Sequence, residues 1–436
     1  MSNASNGKLG YWSVVAIGVG GMVGGGIFAV LGLAVQLAHG GTPVAFAIAG
    51  LVALLTSYSY AKLSVAYPSP GGTVEFLNQG LGTGLITGSL NVLLSISYVI
   101  MLSLYAHAFG SYGASLLPSG WQTFGSHLLL SSAVVALTVL NIFGSRAVGE
   151  AEEWVVGLKI IILLLFVTVG LFSTKFAALR LDHWTGPWQL IAGGMVIFLA
   201  YEGFELIATT ARDVRDSDRI LPRAYYSAVV FVILLYVMVS MVAVGNLNVG
   251  EIVRAKDYAL AEAARPFMGA TGFILIGIAA MLSTASAINA TLYGAARISY
   301  IIARDGELPH FLERKVWHKP IEGLLITAVL TLIVANLFNI ESISMMGSSG
   351  FLLVFAAVNI ANVVQYRQTK SAWPVSAAGA VACVASLGAL AWVSADKNPA
   401  TLWVLAGMLA VSVGIEALYR ALTGRRLRLN LPEQKH

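Results

Sequence analysis

Long apolar runs alternate with short polar connections along most of the chain. A helix needs about 20 mostly apolar residues to cross a bilayer, and we count twelve runs that approach or exceed this length. They cover residues 11–38, 43–66, 85–116, 128–144, 151–172, 189–211, 224–246, 271–303, 321–338, 344–366, 373–393 and 401–422. The pattern predicts an all-α membrane protein with twelve transmembrane helices, in which residues 1–436 form a single integral membrane domain.

Two of the predicted spans contain residues that interrupt a helix. Residues 18–32, with the sequence GVGGMVGGGIFAVLG, contain seven glycines, and glycine weakens a helix. Span six is interrupted around residues 201–205, where two carboxylates lie in an apolar run. Broken helices in corresponding halves of a transporter are the best sequence indication of a substrate site. We therefore expect the site between these two breaks.

The spacing of the breaks indicates an internal repeat. Spans one and six are five helices apart, and because five is odd, the second unit would enter the membrane in the opposite orientation. This arrangement is the inverted repeat of many secondary transporters. We expect a 5+5 inverted repeat with a first unit over about 11–172 and a second over about 189–366. Two C-terminal helices follow over about 373–422.

Lysine and arginine are distributed unevenly between the two sides of the predicted topology. With the amino terminus placed in the cytoplasm, nineteen of the 26 lie in or next to the cytoplasmic ends of the spans, and Lys159 is assigned to the interior of a span. The six on the outer side are Lys175, Arg180, Arg254, Lys256, Arg265 and Lys397. Cytoplasmic loops carry an excess of Lys and Arg. We predict a multi-pass protein of the cytoplasmic membrane with both termini inside the cell.

Composition and motifs exclude several classes of protein. Only 11% of residues are charged, against about 25% in soluble domains. The loop distribution explains the net charge of +5, so no nucleic-acid partner is expected. Zinc-protease, serine-hydrolase and Walker motifs are absent, so no enzyme activity, metal site or cofactor is expected. A channel would carry a repeated filter or charged rings, and a transporter-like nutrient sensor would usually add a soluble domain.

Three stretches carry motifs of a known transporter family. They are residues 24–28, residues 201–208 with Asp213 and residues 221–224, and residues 289–297 ending in residues 304–309. They resemble, in turn, the first-helix glycine signature, the sixth helix with its loop, and the eighth helix with its exit in the amino acid–polyamine–organocation superfamily. This resemblance to amino acid permeases implies a transporter. Gly25 departs from the pattern, because the family often has Ser there.

The first break is suited to a carboxylate. A helix N-terminus presents unpaired N–H groups and a partial positive charge, and glycines allow a ligand to approach the backbone. Free carbonyls at the second break can accept hydrogen bonds from an ammonium group. The alternative is that the glycines only allow close helix packing. The expected substrate-binding residues are Gly24, Gly25, Gly26, Ile27, Tyr201, Glu202, Gly203 and Phe204.

Several further residues are candidates for coupling or gating. Carboxylates at membrane depth usually have a function or a partner, so Glu202 is a candidate for an ammonium group and Glu205 for coupling. The alternative is that either carboxyl is protonated or bonds free backbone N–H groups. Lys159 resembles a fifth-helix lysine of sodium-independent family members and can exchange a proton, although a snorkelling lysine fits the spacing equally well. The predicted coupling and gating residues are Lys159, Glu205, Ser283, Thr284, Tyr98 and Tyr293.

These features predict a secondary active transporter of a small amino acid. Uptake coupled to protons is the preferred mechanism, with the proton as coupling ion and the lipid bilayer as surroundings. Exchange of one amino acid, cationic amine or polyamine for another is the alternative, because the same fold supports both. The sequence does not indicate which amino acid or amine is carried, or whether the protein forms an oligomer.

Overall fold

The computed structural model describes residues 9–143, 146–304, 321–397 and 400–423, and we number the α-helices in this part of the chain from the amino terminus. The helices are α1 (Tyr11–Met22), α2 (Gly26–Ala38), α3 (Thr42–Ala66), α4 (Thr73–Leu81), α5 (Leu85–Ala114), α6 (Gln122–Phe143), α7 (Arg146–Leu171), α8 (Pro187–Val196), α9 (Leu206–Thr209), α10 (Ser217–Asn246), α11 (Val249–Arg254), α12 (Ala259–Arg304), α13 (Ile321–Leu337), α14 (Ile340–Val364), α15 (Trp373–Lys397) and α16 (Ala400–Thr423).

The helices confirm the predicted all-α membrane class. Within the described residues, nine helices are long and apolar enough to cross a membrane, and two bent pairs raise this number to eleven. The bent pairs are α1 with α2, at 48°, and α8 with the segment Phe198–Thr209, at 47°. The ninth predicted span coincides with α13, an apolar helix of 17 residues.

Three features of the helices differ from the hydropathy prediction. The short helices α4 and α11 lie in connections where no helix was predicted, because neither forms an apolar run of spanning length. Helix α12 begins at Ala259, twelve residues before the predicted span, and is interrupted at Gly269, whose φ is +64°. Glycine adopts positive φ without a steric cost. The predicted exit motif at residues 305–309 lies outside the described residues.

The helices pack into two groups that meet around the breaks. In one group, α10 packs against α3 and α1, and α8 packs against α3 and α2. In the other group, α5 packs against α6, α12 and α13. Helix α14 contacts both groups through α3 and α5, and α15 and α16 lie against it. The apolar core is continuous between the groups.

The two faces of the helix assembly differ in how they are closed. The strand-like bridge between Leu9 and Val214 lies on the face that carries the amino terminus. On the opposite face, the turn Lys256–Tyr258 packs on α2, where the Lys256 backbone lies against Gly32. Lys256 also forms an ion pair with Glu341 at 3.2 Å. This opposite face is therefore closed over the two breaks.

Candidate functional site

The first break separates α1 from α2 at residues 23–25. Three consecutive glycines, Gly24, Gly25 and Gly26, make a continued helix unfavourable here, and α2 begins at Gly26, within the stretch that the sequence predicted to be interrupted. A Cβ on Gly26 would lie 2.6 Å from Ala200 Cα, and one on Gly25 would lie 2.5 Å from Tyr105 Cδ1. These glycines therefore allow the backbone at the second break and the ring of Tyr105 to approach closely.

The second break lies between α8 and α9. A 3-10 turn covers Phe198–Tyr201, and the chain is not helical from Glu202 until α9 begins at Leu206. Gly203 has a φ of +122° and packs against the backbone of Gly21. Only glycine adopts such a conformation readily. Gly203 therefore fixes the close crossing of the two breaks.

The two carboxylates at the second break have different surroundings. Glu205 Oε2 accepts a hydrogen bond from the Gly203 backbone N–H at 2.7 Å, and Oε1 accepts one from the Tyr98 hydroxyl at 3.3 Å. Glu202 is fully buried, and neither of its side-chain oxygens has a hydrogen-bond partner among the described residues. Glu205 is thus engaged in holding the break, and Glu202 is not.

Side chains from spans five and eight hold carbonyl groups at the end of α1. Lys159 is 2% exposed, and its Nζ donates to the Gly20 carbonyl at 3.0 Å. Ser283 Oγ donates to the Val23 carbonyl at 3.2 Å and also contacts the Gly24 carbonyl. Thr284 instead donates to Ala280 in its own helix at 2.7 Å. Lys159 and Ser283 are therefore brought to the first break, whereas the Thr284 hydroxyl is not.

Tyr236 on α10 contacts both breaks and was not among the predicted residues. Its hydroxyl donates to the Met22 carbonyl at 2.7 Å and lies 3.2 Å from the Ala200 carbonyl. Its ring packs on Phe46 and Tyr201. No sequence pattern separates this tyrosine from the other aromatic residues of span seven, since the contact depends on where α10 crosses the breaks.

A cavity of about 620 Å³ lies beside the two breaks. Glu202, Gly203, Gly20 and Gly21 line it at the breaks, together with Tyr105 from α5. The remaining lining residues are Leu9, Trp12, Ser13, Ala16, Ile17, Met101, Val156, Leu206, Ser286, Ala287, Ala290 and Thr291. Because Leu9 and Trp12 line it, the cavity extends to the face that carries the amino terminus. It lies between α1 of one helix group and α5 and α12 of the other.

The structure places part of the predicted site at this cavity. Of the predicted substrate-binding residues, Glu202 and Gly203 line it. Tyr201 instead donates its hydroxyl to the Phe46 carbonyl at 2.8 Å, and Phe204 packs on Tyr60 and Phe355. The predicted residues that are buried in the packing around the breaks, and that do not line the cavity, are Gly24, Gly25, Gly26, Ile27, Tyr201 and Phe204.

One predicted gating residue lies elsewhere. Tyr293 is 59% exposed on α12 and does not line the cavity. It lies two residues after Thr291, which does line the cavity, and successive residues of a helix point about 100° apart. Tyr105, in contrast, lines the cavity and also contacts Gly25. It therefore separates the glycine turn from the cavity. Within the described ranges, no group of three His, Cys, Asp or Glu residues could hold a metal ion.

Comparisons with known proteins agree with this architecture. The family model described as amino acid permease matches residues 9–414. An uncharacterized protein of Methanocaldococcus jannaschii is 35% identical over 430 residues, covering 98% of each chain. The inner membrane transport protein YbaT of Escherichia coli is 33% identical over 93% of this chain and 95% of its own. The methylthioribose transporter of Bacillus subtilis is 27% identical over 81% of this chain and 80% of its own.

Proposed function

The chain belongs to the amino acid permease family, and from this premise we propose that it carries a small amino acid across the cytoplasmic membrane by proton-coupled uptake. Two of the relatives above are named as transport proteins, and one of these is named for methylthioribose, which is not an amino acid. The substrate class therefore rests on the chemistry of the site. With both termini in the cytoplasm, as the distribution of Lys and Arg predicts, the cavity would be accessible from inside the cell.

The observation that carries this proposal is the meeting of two broken helices at one cavity between two helix groups. A break exposes main-chain N–H and C=O groups that a substrate with an ammonium and a carboxylate group can bind. The cavity is accessible from the amino-terminal face, and the opposite face is closed by the turn Lys256–Tyr258. Rocking of one group against the other would reverse this accessibility.

Coupling to protons is supported by the position of Lys159. Its ammonium group donates to the Gly20 carbonyl, and Gly20 also lines the cavity. A charged donor makes a stronger hydrogen bond than a neutral one. Loss of the proton from Lys159 would therefore weaken the attachment of α1 to α7 at the edge of the cavity. Protonation would restore it, which couples the position of α1 to the proton.

Uptake into proteoliposomes tests the proposal. Purified protein is supplied with labelled amino acids and small amines, with and without an imposed pH gradient. We expect an inward proton gradient to drive accumulation of at least one amino acid. Exchange would be favoured if accumulation requires unlabelled substrate inside the vesicles and does not depend on the pH gradient. Absence of transport for the whole panel would contradict the proposal.

The coupling role predicts a specific effect of Lys159→Ala. The variant should lose accumulation driven by the pH gradient and keep measurable substrate binding, because Lys159 does not line the cavity. Uptake at several pH values and equilibrium binding measure the two effects. Lys62→Ala is the matched control, since Lys62 donates to the Lys370 carbonyl at 3.3 Å at an exposed position. Unchanged pH dependence in Lys159→Ala would exclude the coupling role.

A further inference from the structure

On the face opposite the cavity, His107 of α5 lies beside Asp257 of the turn Lys256–Tyr258. Nε2 of His107 is 3.8 Å from Oδ2 of Asp257, and the two side chains are 16% and 36% exposed. The other polar atom of each side chain, His107 Nδ1 and Asp257 Oδ1, is buried and has no hydrogen-bond partner among the described residues. In the part of the chain that the structure describes, each side chain therefore has the other as its polar contact.

This contact depends on the charge of the histidine. A separation of 3.8 Å is longer than a hydrogen bond, so a neutral His107 has little attraction for Asp257. A protonated His107 is a cation, and its attraction to the carboxylate is screened less at a partly buried position than in water. Histidine is the side chain whose charge ordinarily changes between pH 5 and 8. The attraction is therefore present at low pH and is lost as the pH rises.

The other charged and ionisable groups around this turn have contacts of their own. The charged ones are Lys256 with Glu341 at 3.2 Å, Arg265 with Glu262 at 2.9 Å, and Arg254 with the Gly250 carbonyl at 3.3 Å. The uncharged ones are Tyr112 of α5, which donates to the Phe28 carbonyl, Tyr258, whose ring packs on Phe273, and His127 of α6, which contacts Asn336. Helix α2, on which the turn packs, carries no charged residue. Within the described residues, the ion pair of Asp257 is therefore the one with His107.

The pair joins two parts of the closed face. Asp257 belongs to the turn that packs on α2, where the Lys256 backbone lies against Gly32. His107 belongs to α5 in the other helix group, and α5 also contacts this turn. Attraction between the two side chains therefore fastens the turn to α5 while it covers α2.

We propose, building on the transport function above, that His107 and Asp257 form a proton-binding site on the closed face, and that the bound proton holds the turn Lys256–Tyr258 in place. Loss of the proton removes the attraction and frees the turn from α5. With both termini in the cytoplasm, this face would lie outside the cell, and protons from outside would favour its closure. The site is separate from Lys159, which lies at the first break.

Labelling of a cysteine that the closed turn hides tests this proposal without knowledge of the substrate. Cys383, the single cysteine of the chain, is replaced by Ser, and Ala255→Cys is introduced directly before the turn, where Ala255 is 5% exposed. The purified protein reacts with N-ethylmaleimide, a neutral reagent, at about pH 5.5 and about pH 7.5, on the two sides of the ordinary histidine titration. Each rate is divided by that of Ser119→Cys, an exposed position, at the same pH.

We expect the normalised rate to be about two- to fivefold higher at the higher pH, the range that a partly exposed ion pair supports. His107→Gln and, independently, Asp257→Asn should remove this difference and give the faster rate at both pH values. His127→Gln is the matched control and should keep the difference, because the contact of His127 is the Asn336 amide. Equal normalised rates in the parent protein, or a difference that survives either substitution of the pair, would overturn the proposal.

The outcome separates this inference from the proposed function. Labelling does not depend on transport, so a pH response that requires His107 in a protein with no uptake would contradict the transport function alone. Uptake of an amino acid driven by the pH gradient, combined with labelling that does not depend on pH, would contradict the role of His107 alone. A single symmetric peak in size-exclusion chromatography for each variant shows that the compared proteins are folded.

Discussion

At the scale of the residue, neighbouring side chains of the same type have different roles because their local donors differ. Glu202 and Glu205 both lie in an apolar span and look equivalent in the sequence. Glu205 accepts hydrogen bonds from two buried groups that would otherwise lack an acceptor, the Gly203 N–H and the Tyr98 hydroxyl. Glu202 accepts no such hydrogen bond from the described residues. Glu205 therefore contributes to the break, whereas the Glu202 carboxyl lies buried beside it.

This difference predicts opposite effects on stability. Glu205→Ala leaves two buried donors without an acceptor, and each such group costs about 1–3 kcal/mol. The variant should therefore unfold at a clearly lower temperature. Glu202→Ala removes a buried group that has no donor and should leave the midpoint unchanged or raise it. Thermal unfolding of both purified variants without added substrate checks this, and an equal loss in the two variants would contradict the assignment.

At the scale of the element, the two breaks form because glycine lies where the helices have to cross. Gly26 leaves room for Ala200, and Gly203 with its φ of +122° packs against Gly21. The hydroxyl of Tyr236 then joins carbonyls from both breaks. Lys159 and Ser283 hold further carbonyls of the first break. Side chains of the surrounding helices thus satisfy main-chain groups that lipid could not satisfy.

Replacement of a glycine at the crossing should damage the site. Gly203→Ala places a Cβ against the Gly21 backbone in a conformation that alanine rarely adopts. We expect loss of uptake and a lower unfolding temperature. Gly277→Ala in α12 is the control, because nothing lies within 4 Å of its Cβ position and alanine favours a helix by about 1 kcal/mol over glycine. Similar behaviour of the two variants would show that the crossing does not need Gly203.

At the scale of the whole molecule, the cavity lies on one face, and docked connections cover the opposite face, among them the turn Lys256–Tyr258. The turn Lys256–Tyr258 packs on α2 at Gly32, and Lys256 is joined to Glu341 at the start of α14. Helix α14 contacts both helix groups. The docked segment therefore links the groups on the face opposite the cavity mouth.

A substitution that keeps the turn Lys256–Tyr258 from packing on α2 should shift the protein away from the observed conformation. Gly32→Ala places a methyl group against the Lys256 backbone, which cannot move as a flexible side chain can. We expect Ser286→Cys, in the Cys383→Ser background, to react more slowly with a neutral maleimide because the cavity is open less often. Gly388→Ala on α15, with nothing within 4 Å, is the control. An unchanged rate in Gly32→Ala would contradict the gating role of this contact.

Much of the fold follows from hydropathy and glycine positions. Long apolar runs determine where spanning helices lie. A single chain segment in lipid can pair all its backbone N–H and C=O groups only by forming a helix. The breaks in spans one and six follow from glycine clusters and from carboxylates in an apolar run. Hydropathy did not predict helices α4 and α11, because short helices in connections are stabilised by tertiary contacts and local caps. The inverted repeat and the coupling role of Lys159 stay predictions.

The sequence by itself determined the membrane class, the two breaks and the presence of Glu202 and Gly203 between them, because these depend on residue chemistry along the chain. Tertiary structure alone decided that Gly20 and Gly21 line the cavity in place of residues 24–27, that Tyr236 joins the two breaks, and that Tyr293 lies outside the cavity. The physical reason is that cavity lining depends on the crossing of helices distant in sequence, which spacing within one helix cannot specify.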